Sequence, residues 1–329
     1  MMLLLPLFLA AHAVAQQDCH QACSISGGPA LCGTSCTYVD PSSGLLLNSF
    51  CGSAQFPLCT PPPPPPSSAG VSAYSGSTQV SSFLDPTGVT TGKPAGQSIF
   101  YRATDQHVHH IYSNTTWQTD DPTGMTSSIA AVSGTSISSF LDPTGVTTGK
   151  PAGQSIFYVG TDQHVHHVYS NTTWHADDPT AMTGAPLAAP GAAITSFLDP
   201  TGVNSGGVPS QAIFYIATDQ HIHHFFTDTT WHTDDATAFS GAPPAATGSP
   251  LCAFLDSAGG TTGGPGQAIF YIGTDQHIHH IYSNTTWHND DPTALAGAPL
   301  AIAGSSISCF VDPTGVTTGK PAGQSSNDS

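Results

Sequence analysis

The chain has 329 residues, with 21 acidic against 4 basic side chains, and its formal net charge of −17 comes from aspartate alone because glutamate is absent. Such a surface repels phosphate backbones and anionic lipid, which excludes nucleic acid and acidic membranes as partners. Only 8% of residues are charged, against 34 glycines and 28 prolines, so helix formers are scarce, turn formers abundant, and the composition points to the all-β class.

The chain opens on "MMLLLPLFLAAHAVA" (residues 1–15), an apolar run too short to span a bilayer and ending in small residues. It reads as a secretory leader cleaved before Gln16, which predicts an extracellular protein. Residues 16–59 then carry Cys19, Cys23, Cys32, Cys36, Cys51 and Cys59. In an exported chain that density predicts a disulfide framework rather than a zinc cluster, holding a module too small for a proper core. Six cysteines allow fifteen pairings, and the spacing does not choose among them. Residues 60–78, "TPPPPPPSSAG" and its continuation, form a stiff linker with a flexible end.

Residues 79–329 are repeats. Phe-Leu-Asp recurs at Phe83, Phe140, Phe197 and Phe254 and returns as Phe310-Val311-Asp312, while Trp117, Trp174, Trp231 and Trp287 are spaced 57, 57 and 56 residues apart. The units run about 79–135, 136–192, 193–249 and 250–305, with a partial copy at 306–324. Each reads as four short strands, as in "AITSFLD", "QAIFYIATD", "HIHHIYS" and "TWHNDDPT". Nothing keeps a 3.6-residue period, so tandem antiparallel sheets around an axis, a β-propeller, are predicted over a helical solenoid. The last copy ends in "KPAGQSSNDS" where its second strand should start. Three readings stay open: a four-bladed ring closed by the last strand, a larger ring completed by a second molecule, and a shortened copy. Cys252 and Cys309 sit at nearly equivalent places in neighbouring first strands and are expected to staple two blades.

Each unit carries His-x-His-His. The first two histidines, His107 and His109, His164 and His166, His221 and His223, and His277 and His279, point to one strand face and the third to the other. Paired imidazoles can share zinc or copper, but a structural ion wants four ligands and one face offers two, so the set would have to be completed by the histidine after tryptophan, as at His175, or by Asp177 or Asp178. The simpler reading is blade packing, and no metal or other cofactor is assigned. Asp120–Asp121, Asp177–Asp178, Asp234–Asp235 and Asp290–Asp291 resemble a glycosidase carboxylate pair. Four equal copies argue for equal binding sites instead, and aspartate beside Pro-Thr starts turns; the chain is not read as an enzyme. Trp with His, Asp and Tyr once per unit is the equipment of a sugar site, an aromatic face for the C–H side of a pyranose and polar groups for its hydroxyls.

"IFYxxTDxHxH" followed by "W…APLA…GS" resembles the repeat of the fungal fucose-specific lectins and their bacterial relatives, over about residues 79–324. The resemblance implies a propeller binding sugar between blades. In that family fucose is held by an arginine on the second strand, a glutamate on the third and an aromatic on the fourth. Here the arginine position holds Ser98, Ser155, Ala212 and Ala268, the glutamate position His110, His167, His224 and His280, and only the tryptophans are kept. The resemblance therefore implies the fold without fucose specificity. The sequence reading is a secreted, multivalent lectin with the four tryptophans as platforms and those four histidines as hydrogen-bonding partners. A structural wall glycoprotein and a histidine-based metal or pH-responsive binder are the alternatives. Asn114, Asn171 and Asn284 head Asn-Thr-Thr sequons, which predicts glycosylated loops. An incomplete ring would imply a homo-oligomer.

Overall fold

The computed structural model describes residues 35–39, 46–50, 80–86, 88, 95–143, 145, 152–203, 205–256, 265–302, 304–312 and 323–328. The chain divides into two compact units, Met1–Ser72 and Ala73–Ser329. In the first, strands β1 (Ser35–Val39) and β2 (Leu46–Phe50) pair antiparallel, Ser35 opposite Phe50. The leader, the polyproline run and the side chains of the six head cysteines lie outside the described residues.

Among the described residues the second unit is all-β apart from one helical turn in each of four repeats. Blade 1 comprises β3 (Val80–Asp85), β4 (Gly96–Arg102), β5 (Val108–Ser113) and β6 (Trp117–Asp120). Blade 2 comprises β7 (Ile137–Asp142), β8 (Gly153–Val159), β9 (Val165–Ser170) and β10 (Trp174–Asp177). Blade 3 comprises β11 (Ile194–Asp199), β12 (Ser210–Ile216), β13 (Ile222–Thr227) and β14 (Trp231–Asp235). Blade 4 comprises β15 (Leu251–Asp256), β16 (Gly266–Ile272), β17 (Ile278–Ser283) and β18 (Trp287–Asp290). Each blade is an antiparallel sheet in sequence order. A fifth pair follows, β19 (Ile307–Asp312) with β20 (Gly323–Asp328), Asp312 opposite Gly323. The chain thus reaches one strand further than its sequence suggested, because Gly323-Gln324-Ser325 repeats the opening of β4 and β8.

The first strands pack side by side in chain order, β3 on β7, β7 on β11, β11 on β15 and β15 on β19. Ser81, Ser138, Thr195, Cys252 and Ser308 of these five strands line one central cavity of about 250 Å³. Sheets radiating from a shared axis are propeller blades. The second strands are the core: β8, β12 and β16 are buried at every position, since each is covered by its own sheet and by the neighbouring blades.

At three of the four junctions adjacent first strands are joined by a repeated side-chain bridge, the exception being the junction of blades 3 and 4, where the positions hold Thr195 and Ala253. The residue two before Phe in one blade meets the residue one before Phe in the next. Ser81 meets Ser139 at 2.7 Å and Ser196 donates to Ser138 at 2.8 Å. Between blades 4 and 5 the same positions hold Cys252 and Cys309, joined as a disulfide with Cα atoms 6.0 Å apart, which bears out the expected staple.

The helical turns were not foreseen. They span Pro122–Thr126, Pro179–Thr183, Ala236–Ser240 and Pro292–Ala296. Asp121, Asp178, Asp235 and Asp291 are their N-caps, each accepting a backbone N–H three residues on at 2.8–2.9 Å, so the aspartates start helices rather than plain turns. Proline at the first helical position of three of them is pre-set for the helix.

Candidate functional site

Two constellations recur in the blades, on opposite faces of the third strand. On the first face, His110, His167, His224 and His280 lie against Phe100, Phe157, Phe214 and Phe270 of the second strand, ring centroids 4.4–4.5 Å apart. The next blade covers them: Trp174 stands edge-on to His110, Trp231 to His167 and Trp287 to His224, at 5.5–5.9 Å. An aspartate links each trio. Asp120 and Asp177 accept from His110 and His167 Nδ1 at 3.1 and 2.9 Å on one oxygen, and from Trp174 and Trp231 Nε1 at 3.2 Å on the other. In blade 3, Trp287 Nε1 bonds Asp234 at 3.3 Å, while His224 Nδ1 lies 3.3 Å from Asp234, in ion-pair reach but off line for a hydrogen bond. Burial pulls the Asp177 carboxyl up, but the His167 ring and the bonds from His167 and Trp231 more than offset it, and the group sits below the usual carboxylate range.

This placement revises the sugar-site geometry. The four imidazoles expected to hydrogen-bond a ligand are 0–1% exposed, and their Nε2 atoms are buried without a partner, so they are sealed inside blade junctions. The positions matching the family arginine, Ser98, Ser155, Ala212 and Ala268, are 0% exposed. Trp174, Trp231 and Trp287 are half-buried with their N–H fixed, whereas Trp117, which no blade precedes, is 59% exposed.

The second constellation occupies the other end of the blade. Its turn Thr104-Asp105-Gln106-His107 puts Gln106 at φ 70, and Gln163, Gln220 and Gln276 repeat this at 66–67. The strained residue turns the chain back so that Asp105 Oδ1 accepts the His107 N–H at 3.0 Å. The cap Asp121 arrives alongside because Thr123, in its helix, accepts the Val108 N–H at 3.0 Å; Thr180, Thr237 and Thr293 do the same in their blades. His107 Nδ1 lies 2.8 Å from Asp121 Oδ2, and His109 Nε2 lies 2.8 Å from Asp105 Oδ2. The cognate pairs are His164–Asp178 and His166–Asp162, His221–Asp235 and His223–Asp219, and His277–Asp291 and His279–Asp275. The His109 bond and the His107 N–H hold the Asp105 carboxyl below its ordinary range, and Asp291 raises the His277 imidazole. These are the residues on which an imidazole-binding metal would sit. The turn aspartates Asp105, Asp162, Asp219 and Asp275 escaped the sequence reading, although Thr-Asp-Gln-His repeats in every unit.

Two cavities, of about 270 and 350 Å³, lie one blade apart between a Thr-Asp-Gln-His turn and the blade-to-blade connectors. Ile216, Gln220 and Ala246 line the first, and Ile272, Gln276 and Ala301 the second. Their linings are small and mostly apolar, and include none of the tryptophans or histidines. Asn114 and Asn171 occupy the hairpins before Trp117 and Trp174, where their Oδ1 atoms accept the next residue's N–H at 2.7 and 2.8 Å.

No protein-family model matches the chain, and no curated protein does. Solved structures do. A variant of AofleA from Arthrobotrys oligospora with three arginines changed to alanine superposes with a TM-score of 0.50 at 12% identity, covering 90% of this chain and 82% of that one. Aleuria aurantia lectin in complex with α-methyl-L-fucoside gives 0.48 at 12% identity, covering 70% of this chain, which spans 66% of the lectin's length. A further structure of that lectin, described as a six-bladed β-propeller with a novel fucose recognition mode, gives 0.47 at 13% identity. The likeness is one of fold. It meets the resemblance read from the repeats, and it leaves ligand and site to the residues of this chain. Among the described residues no helix is long and apolar enough to cross a membrane.

Proposed function

We propose that the protein is a secreted, non-catalytic, multivalent carbohydrate-binding protein whose platforms are Trp117, Trp174, Trp231 and Trp287. One observation carries the reading: at three blade junctions an indole is held by an aspartate of the preceding blade and remains half-exposed. A pre-oriented aromatic face loses little freedom when a pyranose stacks on it. His110 and His167 act from behind, holding an aspartate and an indole edge each, His224 backs the indole edge of Trp287 and His280 holds Asp290, and none of them touches the sugar. The neighbours named as lectins in complex with fucosides support the class of ligand. Loss of the family's arginine and glutamate positions argues for a different preferred sugar.

A glycan array probed with the full chain, made without glycosylation, tests this. Selective binding is expected, weakened at least tenfold when the tryptophans are changed to alanine and largely unchanged by His175→Ala. Binding that ignores the tryptophan changes overturns the platform assignment.

One observation favours a structural role instead: the indole N–H groups of Trp174, Trp231 and Trp287 are all spent on aspartates within the protein. A blank array together with full occupancy of Asn114, Asn171 and Asn284 by glycans, read by mass spectrometry, is the outcome expected of a wall glycoprotein.

A further inference from the structure

The Asp-His-His-Asp clusters are not needed by the glycan reading, and their geometry asks for an occupant. In blade 3, Asp219, His221, His223 and Asp235 each offer one ligand atom, all within 4.8 Å of one another; Asp105, His107, His109 and Asp121 do the same in blade 1. Three edges of the blade 3 cluster are 2.7 Å for His221 Nδ1–Asp235 Oδ2, 3.0 Å for His223 Nε2–Asp219 Oδ2 and 3.9 Å for His223 Nε2–Asp235 Oδ2. A tetrahedral ion with bonds of 2.0–2.1 Å separates its ligands by about 3.3 Å, in the middle of that range.

The carboxylates are oriented for such a role. Asp219 Oδ1 is held by the His221 N–H at 3.0 Å and Asp235 Oδ1 by the Ala238 N–H at 2.8 Å, so in each case Oδ2 turns to the imidazoles. Asp105 and Asp121 are anchored alike, by the N–H groups of His107 and Gly124. One oxygen fixed by the backbone and the other facing inward is how outer contacts orient metal ligands. Charge agrees: each cluster holds two carboxylates, and in a chain with 4 basic residues the sole arginine, Arg102, spends Nε on the Ala131 carbonyl. Two imidazoles select a borderline transition ion over calcium or magnesium.

We propose that blades 1 and 3 each bind one divalent transition metal ion of the zinc class through these four side chains. On binding, each imidazole presents its aspartate-facing nitrogen as a lone pair, its single ring proton passing through solvent to the other ring nitrogen, and each carboxylate Oδ2 exchanges its hydrogen bond for the ion, with no change of oxidation state. Blades 2 and 4 bind more weakly, because only three donors converge there: Asp162, His164 and Asp178 in one, Asp275, His279 and Asp291 in the other. The residue before the turn differs in step, Ala103 and Ala217 in the four-donor blades, Gly160 and Gly273 in the three-donor blades. A Cβ at Gly160 or Gly273 would stand 2.7–2.8 Å from the Nε2 atom of His166 or His279.

The test is calorimetric titration of the chelator-stripped full chain with zinc alone. Two tight equivalents per chain are expected, and none in a His109→Gln, His223→Gln double variant; His175→Gln with His288→Gln keeps both. Should the double variant fail to fold, diethylpyrocarbonate labelling of the unaltered protein decides. Zinc then protects His107, His109, His221 and His223 while His175 and His288 stay reactive. No tight equivalent, tight equivalents that survive the double variant, or no selective protection overturns the proposal. Four equal sites with all four blades protected overturns its restriction to blades 1 and 3.

Discussion

At residue scale, the same tryptophan does different work according to its neighbour. Trp231 donates to Asp177 and stands against His167 and Phe157 of the blade before it, whereas Trp117 is 59% exposed. Trp231→Ala should therefore cost about 2 kcal/mol or more, the loss of a charged hydrogen bond and of buried ring area, while Trp117→Ala costs under about 1 kcal/mol. Urea unfolding of the two variants checks the difference. Asp177 supplies a pH signature. Its carboxyl is held below the usual carboxylate range by His167 and Trp231 in spite of burial. A depressed folded pKa means the stabilisation is fully present above the unfolded value and is lost as pH falls through the folded one. Asp177→Asn should thus lower the melting temperature at pH 5–7 by the equivalent of about 2 kcal/mol, with the gap to the parent closing below about pH 4. A gap constant across that range would mean the charge of Asp177 is not what holds the indole.

At the scale of elements, the repeats expose their own substitutions. Gly184, Gly241 and Gly297 end their helices in the left-handed region at φ 69, 72 and 61, and blade 1 places Ser127 there at φ 54. Side chains are penalised in that region, so Ser127→Gly should stabilise by about 1 kcal/mol in denaturant melts. The inner-strand bridge makes a bolder case. Cys252–Cys309 occupies the positions that Ser138 and Ser196 hold two junctions earlier. Ser138→Cys with Ser196→Cys should close a second disulfide on oxidation, read as a loss of two mass units and of thiol reactivity. Opening the natural one should cost about 4 kcal/mol, the loop-closure value for a separation of 57 residues. The strands themselves were legible from alternation and turn signals, and the inter-blade staple from the placement of its cysteines. The helical turns were not: five residues are too few to show a helical period, and only the Asp-Pro cap announces them. Of the Asp-His-His-Asp cluster, the paired histidines and the cap aspartate were legible as donors, whereas the turn aspartate was not, because only the fold brings a turn, a strand and a helix cap together.

At the scale of the propeller unit, nearest-neighbour contact sets the order of stability. β8, β12 and β16 are buried throughout, but β4 of blade 1 is only half-buried at five of its seven positions. Hydrogen exchange should accordingly be slower in Gly153–Val159 than in Gly96–Arg102, with blade 1 opening first. Residues 81–101 and 138–158 are identical, "SSFLDPTGVTTGKPAGQSIFY", so composition and propensity cannot produce that difference. The repeat by itself determined the all-β class, the antiparallel order and the one tryptophan per full unit, because strand alternation and turn chemistry are local. Only the tertiary structure decided which copies of a residue are sealed and which are free. Tyr158 is fully buried, with its hydroxyl on the Ile129 carbonyl of the blade before it, while its twin Tyr101, which no blade precedes, is half-buried. His110, offered by the sequence as a ligand, is shut behind Trp174 of the next blade. Burial is a property of pairs of blades, and a pair is not written in either one's sequence.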